Sequence, residues 1–395
     1  MSLQRLLVIF LLFVLSWITY LDRAAISSAK EGIAADLSLS DQQIGLVFSS
    51  FALGYALAQV PSGWLADRIG PRLLLTVVVA GWSLLTAVTG LAGSLITLVL
   101  VRFIFGVAEA GAYPGSARVI YNWLPVGQHG RANGILFSGS RLGAAMAFPL
   151  LAWLMADFGW RNAFLLLAVP GIAWALVWLA WFRDVPPGEA VVHAAREEAP
   201  LGEIFRSGPM LLAMIQYFCS NFTNFLSLSW INPYLIQQFK LGRDTAAWYT
   251  MVILLIGATS QWVSGFLTDR LYRSAWQKHS RQIPAITGFV IAAVGLLITR
   301  AADDAPSAVA GFCLAAFGAE LTISPSWAFC IDLGGKKSGA VSGSMNMIGN
   351  LGSFTSANVF PWLHGLTGSA GAYFLTAAVL NLVAAGVWTR MSRRT

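Results

Sequence analysis

Six ionisable side chains interrupt otherwise apolar stretches of this sequence. Asp22 and Arg23 are adjacent, Arg102 and Glu109 are seven residues apart, and Arg141 and Glu320 stand alone. An ionised group at the centre of a bilayer costs about 2.5–3.5 kcal/mol on insertion scales, so each needs a partner or a task. A guanidinium is planar, permanently charged and forked, which suits it to a carboxylate-like anion. Arg23 and Arg102 are therefore candidate substrate ligands, with Arg141 a third contact. A carboxyl group can instead exchange a proton: low dielectric favours its neutral form, and a nearby arginine favours its charged form. An arriving anion competes for that arginine, which makes proton and anion binding interdependent. On this chemistry Asp22 and Glu109 are candidate proton carriers. Glu320 is expected to face the same cavity and pair with an arginine from the N-terminal half. The alternative is a set of mutually neutralising pairs that only fix helix packing, and it weighs more for Arg141 and Glu320.

Neutral groups extend the candidate site. Tyr55, Trp327 and Tyr20 can pack on a sugar or aromatic ring. Asn346 and Asn350 are four residues apart and share a helical face, and Glu320, Ser324 and Trp327 form a stripe at i, i+4 and i+7. Asn221, Asn224 and Gln261 add amides, which at helix depth more often bond a neighbouring helix than a ligand. No catalytic constellation is present. Cys219, Cys313 and Cys330 give neither a disulfide framework nor metal-ligand spacing, and His129, His193, His279 and His364 form no paired ligand set. No GxxxxGK[ST] loop occurs, so ATP is not the expected energy source. The expectation is a non-enzyme without cofactor or metal.

These residues must be held by membrane helices. Of the 395 residues 57% are hydrophobic and 11% charged, against about 25% charged in soluble domains. The 16 tryptophans and 38 glycines fit a membrane chain. A spanning helix needs about 20 mainly apolar residues. Twelve segments qualify, near 5–28, 41–65, 72–92, 95–121, 131–156, 162–182, 209–237, 245–267, 282–300, 307–331, 338–362 and 370–391. The first is expected to span and not to be a cleaved signal, because Asp22-Arg23 follows where small residues should stand. Residues 183–208, with Pro186-Pro187-Gly188 and a run of charges, read as a solvated linker. Lys and Arg crowd the connections on the N-terminal side, including Arg5, Arg68, Arg72, Arg118, Arg131, Arg270, Arg273, Lys336 and Lys337. The opposite side has Lys30, Arg161, Lys240, Arg243 and Arg300. By the positive-inside rule both termini are cytoplasmic. The net charge of +7 is then a topology signal, and no nucleic-acid partner is expected.

The two halves resemble each other. Gly63-Trp-Leu-Ala-Asp67-Arg68 has its counterpart in Gly265-Phe-Leu-Thr-Asp269-Arg270. Glu109 precedes Pro114 as Glu320 precedes Pro325, and Arg141-Leu-Gly matches Asn350-Leu-Gly. A near-constant offset among three matches indicates duplication, as in secondary transporters. The fold class is therefore all-α, with twelve transmembrane helices in two pseudo-symmetric six-helix bundles, residues 1–182 and 209–395.

Gly63-Trp-Leu-Ala-Asp67-Arg68-Ile-Gly70-Pro-Arg72 resembles the signature between the second and third helices of the major facilitator superfamily. Its glycines allow a tight turn and close packing, and Asp67 can bridge arginines and helix ends. Gly63, Asp67, Arg68, Gly70 and Arg72, with Asp269 and Arg270, thus read as a conformational latch. A finer match is similar to the anion:cation symporter branch of that family. It comprises Tyr20-Leu-Asp22-Arg23, Phe48 to Tyr55, Gln59 to Trp64, Arg102 through Glu109 to Gly115, Trp327, and Asn346 through Asn350. One departure is Trp230-Ile-Asn-Pro233, where that branch has its proline a residue earlier.

The resemblance implies proton-coupled symport of a small organic anion, a sugar acid or related carboxylate, by a monomeric carrier of the bacterial inner membrane. It also implies Asp22 and Glu109 as proton carriers. The alternatives are efflux, anion exchange and a non-transporting receptor. Buried arginines disfavour cationic drugs, and the coupling acids and short cytoplasmic segments disfavour a receptor.

Overall fold

The computed structural model describes residues 2–186, 200–229 and 231–391, and no strand occurs among them. The helices are α1 (Leu3–Ser28), α2 (Lys30–Leu37), α3 (Asp41–Ile69), α4 (Pro71–Gly90), α5 (Leu95–Glu109), α6 (Ala112–Trp123), α7 (His129–Trp181) and α8 (Leu201–Arg206). They continue with α9 (Gly208–Ser229), α10 (Ile231–Phe239), α11 (Arg243–Tyr272), α12 (Gln282–Ala301), α13 (Ala305–Leu321), α14 (Ile323–Gly334), α15 (Ser338–Thr367) and α16 (Gly371–Thr389). All twelve expected segments fall on these helices. Nine helical stretches among the described residues are long and apolar enough to cross a membrane. Of the linker expected over 183–208, residues 187–199 lie outside the described residues, as does Trp230.

Three boundaries differ from the reading by hydropathy, each for a backbone reason. The segment near 95–121 divides into α5 and α6 immediately after Glu109. Pro114 has no N–H to give the carbonyl of Ala110, so the ladder lapses there. The segment near 307–331 divides the same way at Thr322, two residues beyond Glu320. There Pro325 has no N–H for the carbonyl of Leu321, which accepts from the Ser264 hydroxyl at 2.6 Å instead. Glu109 and Glu320 therefore both sit beside a lapse in the backbone ladder, whereas Asp22 lies within the unbroken α1. In contrast, the segments near 131–156 and 162–182 run together as α7, which bends at Gly159, where φ is +73°. Glycine takes this left-handed conformation without a Cβ clash.

The described chain forms two compact units. The first comprises Met1–Pro125, Gly139–Glu198 and Gly334–Ser344; the second comprises Val126–Ser138, Ala199–Leu333 and Met345–Thr395. Each thus takes the opening turns of one helix, α15 or α7, from the other half of the sequence. Leu21, Ile26, Val47, Leu98, Leu151 and Phe164 anchor a core in the first unit. Phe222, Leu235, Ile253, Phe312, Tyr373 and Phe374 anchor one in the second. Around them the helices expose large apolar side chains, such as Leu84, Leu100, Trp248, Phe354 and Leu382, as a lipid-facing surface must.

Close backbone approach brings α3 and α5 into register for the site. A Cβ at Gly106 would collide with the carbonyl of Phe51, and one at Gly54 with that of Phe103. Small residues at such crossings let membrane helices pack by direct contact. The crossing carries Phe51 and Tyr55 on α3 to the level of Arg102 and Glu109 on α5.

Candidate functional site

Four charges meet inside the first unit. Nε and Nη2 of Arg23 on α1 both approach Oε1 of Glu109 at 2.5 Å. Glu109 is fully buried, whereas the Arg23 side chain keeps 23% exposure. Asp22 and Arg102 are almost wholly buried. Asp22, Arg102 and Glu109 act on one another electrostatically, and Arg23 acts on Arg102 and Glu109. Two guanidinium groups and two carboxylates sum to zero when all are ionised, which makes the burial tolerable. Each proton taken up adds one positive charge.

Aromatic rings fix the two arginines. The Arg23 guanidinium lies 4.6 Å from the Tyr55 ring centroid, 5.2 Å from Tyr20 and 5.4 Å from Phe51. Arg102 lies 5.0 Å from the same Phe51 ring and 4.4 Å from Phe105. A desolvated cation on a π face gains about 2 kcal/mol. Phe51 is thus shared by both cations and spaces them. The indole N–H of Trp82 on α4 donates to Oδ2 of Asp22 at 3.0 Å. Oδ1 of Asp22, Oε2 of Glu109 and Nε of Arg102 are buried without a hydrogen-bond partner among the described residues. Such groups cost free energy unless a proton or ligand engages them. Arg141 is buried on α7 in the same unit.

The second unit holds the duplicated acid in a different setting. Glu320 is buried at the end of α13, and its Oε2 accepts from Nε2 of Gln261 on α11 at 2.5 Å. Beyond the break at Thr322, Ser324 donates to the carbonyl of Gly130 at 3.2 Å. Trp327 donates from its indole N–H to the Tyr217 hydroxyl at 2.8 Å and packs against Phe137. The expected stripe of Glu320, Ser324 and Trp327 is therefore divided between α13 and α14, and its members engage different neighbours. Asn350 donates to the backbone carbonyl of the buried Asn346 at 2.8 Å, which holds the two amides on one face of α15. Asn221 bonds back to the carbonyl of Tyr217 at 3.0 Å.

The two Asp-Arg motifs perform the same local task. Asp67, near the end of α3, accepts from the N–H groups of Gly339 and Ala340 at 2.9 and 2.8 Å. These belong to the first turn of α15, where unladdered N–H groups and the helix dipole favour an anion. Asp269, near the end of α11, accepts from Gly130 and Arg131 at 2.9 and 3.0 Å, in the first turn of α7. A Cβ at Gly63 would strike the carbonyl of Gly339, and one at Gly265 would strike that of Gly130. Arg118 stands 4.0 Å from Asp67, while Arg131 and Arg281 stand 3.9 Å from Asp269. Gly70 turns the chain at φ +86°, and Asp184 then accepts from the N–H of Arg72, whose guanidinium donates to the carbonyl of Leu179. Arg68 and Arg270 point outward and lie over Trp64 and Phe266.

The sequence does not single out Trp82, Phe51, Tyr113 with Ser16 at 3.1 Å, or the cluster of His129, Asp332 and Arg281, in which Asp332 lies 2.9 Å from His129. Trp82 carried a readable signal: tryptophan collects at membrane interfaces, and one in mid-helix needs an acceptor for its N–H.

Comparison with known proteins agrees with this architecture. The model of the Major Facilitator Superfamily matches residues 12–357. A probable sulfoacetate transporter of Cupriavidus necator is 32% identical over 381 residues, covering 92% of this chain and 88% of that protein. A hexuronate transporter of Bacillus subtilis is 28% identical over 394 residues, covering 97% and 93%. Among solved structures, the transporter FucP in its outward conformation superposes with a TM-score of 0.80 at 13% identity, covering 98% of each chain. The proton:xylose symporter XylE superposes with a TM-score of 0.74 at 15% identity, covering 97% of this chain and 95% of that one. At those identities the structural likeness shows the fold alone. With most of its length matched by the family model, and a relative above 30% identity across nearly the whole chain, this protein belongs to the Major Facilitator Superfamily.

Proposed function

We propose that this protein is a secondary active transporter that moves a small organic anion, a sugar acid or related acid, together with protons. The observation that carries this reading is the buried pair of Arg23 with Glu109, set beside Asp22 and Arg102 with unpartnered polar atoms. The names of the relatives, transporters of sulfoacetate and of hexuronate, support an anionic substrate.

The mechanism follows from charge. With Glu109 ionised, its carboxylate occupies Arg23. Protonation removes that competitor, so the guanidinium can take the acid group of the substrate. Arg102, with its Nε unpartnered, offers a second donor set, and Asp22 takes up a further proton. Arg141 contributes a third positive charge in the same unit, and Tyr55 supplies a ring edge. In the second unit Trp327, Asn346 and Asn350 supply rings and amides suited to hydroxyl groups, with Ser324 beside them. Glu320 is a subsidiary proton site. Bundles 1–182 and 209–395, joined through 183–208, alternate access to the two sides. Gly63, Asp67, Arg68, Gly70 and Arg72, with Asp269 and Arg270, act as the latch, because an Asp on two helical N–H groups is a bond that can be made and released as a unit. The carrier works as a monomer in the bacterial inner membrane with both termini in the cytoplasm, and it performs no covalent chemistry.

The test is a thermal-shift screen of purified protein against sugar acids, aromatic acids, dicarboxylates and short sulfonates. Proteoliposome uptake of each hit under an inward proton gradient follows. The expected result is stabilisation by anions and accumulation that collapses when the gradient is dissipated. Stabilisation by organic cations alone would overturn the reading.

A further inference from the structure

Trp82 has no role in the mechanism above, yet its indole N–H is committed to Asp22, the acid of the first-unit cluster that does not take the Arg23 hydrogen bond. The bond from Nε1 to Oδ2 of Asp22 measures 3.0 Å, and both side chains are buried. An indole N–H can only donate and never titrates. It therefore bonds most strongly to an ionised acceptor, and charge-assisted hydrogen bonds are roughly twice as strong as neutral ones. The charged groups acting on Asp22 from the packed helices are Glu109 and Arg102 on α5, with Arg23 next to it on α1. Arg102 is itself held between Phe51 and Phe105. Oδ1 of Asp22 remains without a hydrogen-bond partner, the position open to a proton.

We propose that Trp82 is a positioning residue for coupling: its N–H anchors one oxygen of Asp22 and thereby sets how readily the other exchanges a proton. This inference rests on the proposed proton-coupled transport and deepens it. Trp82 touches no substrate in this scheme. It acts through Asp22 alone, so its removal should alter the pH dependence of transport more than the capacity to carry anion.

The experiment compares wild type, Trp82→Phe, Asp22→Asn and the double variant in proteoliposomes. It uses whichever organic anion the wild type accumulates, and it reads proton-driven accumulation and substrate exchange across a pH series. Phe removes the donor while keeping an aromatic ring. Should that variant not fold, benzothienylalanine at position 82 keeps the bicyclic shape and lacks only the N–H. The expected result is a pH profile of accumulation displaced by about one unit toward alkaline pH, the size of a charge-assisted bond's preference for the ionised form. Exchange should fall by a smaller factor than accumulation. In the Asp22→Asn background, Trp82→Phe should produce no further displacement of the exchange profile. An unmoved profile, or exchange and accumulation falling in equal proportion, overturns the inference. Failure of the wild type itself to accumulate anion under the gradient would instead overturn the underlying transport reading, so the two failures are distinguishable.

Discussion

Glu109 and Glu320 occupy matching places in the two sequence halves, each just before a proline-induced lapse in its helix, yet their surroundings differ. Glu109 bonds Arg23, beside a second arginine and a second acid. Glu320 bonds the neutral amide of Gln261. Duplication preserved the backbone device that places an acid at a break in the ladder, while the side chains around it diverged. A carboxylate on an arginine competes with an anionic substrate; one on an amide does not compete for charge. In the proposed mechanism, that difference is the reason for placing the main coupling step in the first unit and the recognition of shape and hydroxyl groups in the second.

The two Asp-Arg motifs show the opposite pattern, with the chemistry retained in both units. Asp67 and Asp269 each cap the first turn of a distant helix by two backbone N–H groups. They differ in degree. Asp269 is fully buried, near Arg131 and Arg281, whereas Asp67 keeps slight exposure and stands near Arg118.

Breaking the arginine side of the comparison should have the largest effect. Arg102→Gln should abolish both accumulation and exchange, because it removes a proposed substrate donor and leaves buried acids uncompensated, at a cost of about 3–5 kcal/mol. Arg102→Lys should keep the charge, lose the fork and raise the apparent KM about tenfold. Wild-type KM in the Lys variant would count against guanidinium recognition. Next come the caps. Asp269→Asn should lower the thermal unfolding midpoint more than Asp67→Asn, since the fully buried carboxylate loses about 1–3 kcal/mol of bonding that water cannot replace. Equal shifts in a melting experiment on the two purified variants would erase the asymmetry. A smaller effect is expected of Glu320→Gln, which should change the pH dependence or selectivity of uptake within a few-fold while leaving gradient-driven accumulation in place. Lower expression with normal kinetics per molecule would mark Glu320 as a packing residue. Ser324→Ala should be the mildest: its hydroxyl is engaged with the carbonyl of Gly130, so uptake should stay within about twofold, and a large rise in KM would restore it as a substrate ligand.

Much of this was legible before any coordinates. Charges in apolar segments are conspicuous because the bilayer makes them costly, so Asp22, Arg23, Arg102 and Glu109 could be named from sequence. Their internal arrangement could not. Periodicity shows that Arg102 and Glu109 share a face of α5, but it does not reveal that Arg23 takes Glu109 while Trp82 takes Asp22. The Glu320 stripe assumed an unbroken helix, and the lapse at Thr322 changed its partners even though Pro325 announced it. The acceptors and donors of the two Asp-Arg motifs were least legible. Asp67 bonds backbone N–H groups some 270 residues away, and a backbone group leaves no mark in a sequence.

The central claim, that coupling resides in the first of the duplicated acids, is tested most directly by one measurement. Accumulation of an organic anion under an inward proton gradient, and gradient-free exchange of the same anion, are recorded for Glu109→Gln beside wild type. The account predicts that Glu109→Gln loses gradient-driven accumulation while exchange remains measurable. Accumulation at the wild-type level in that variant would contradict it.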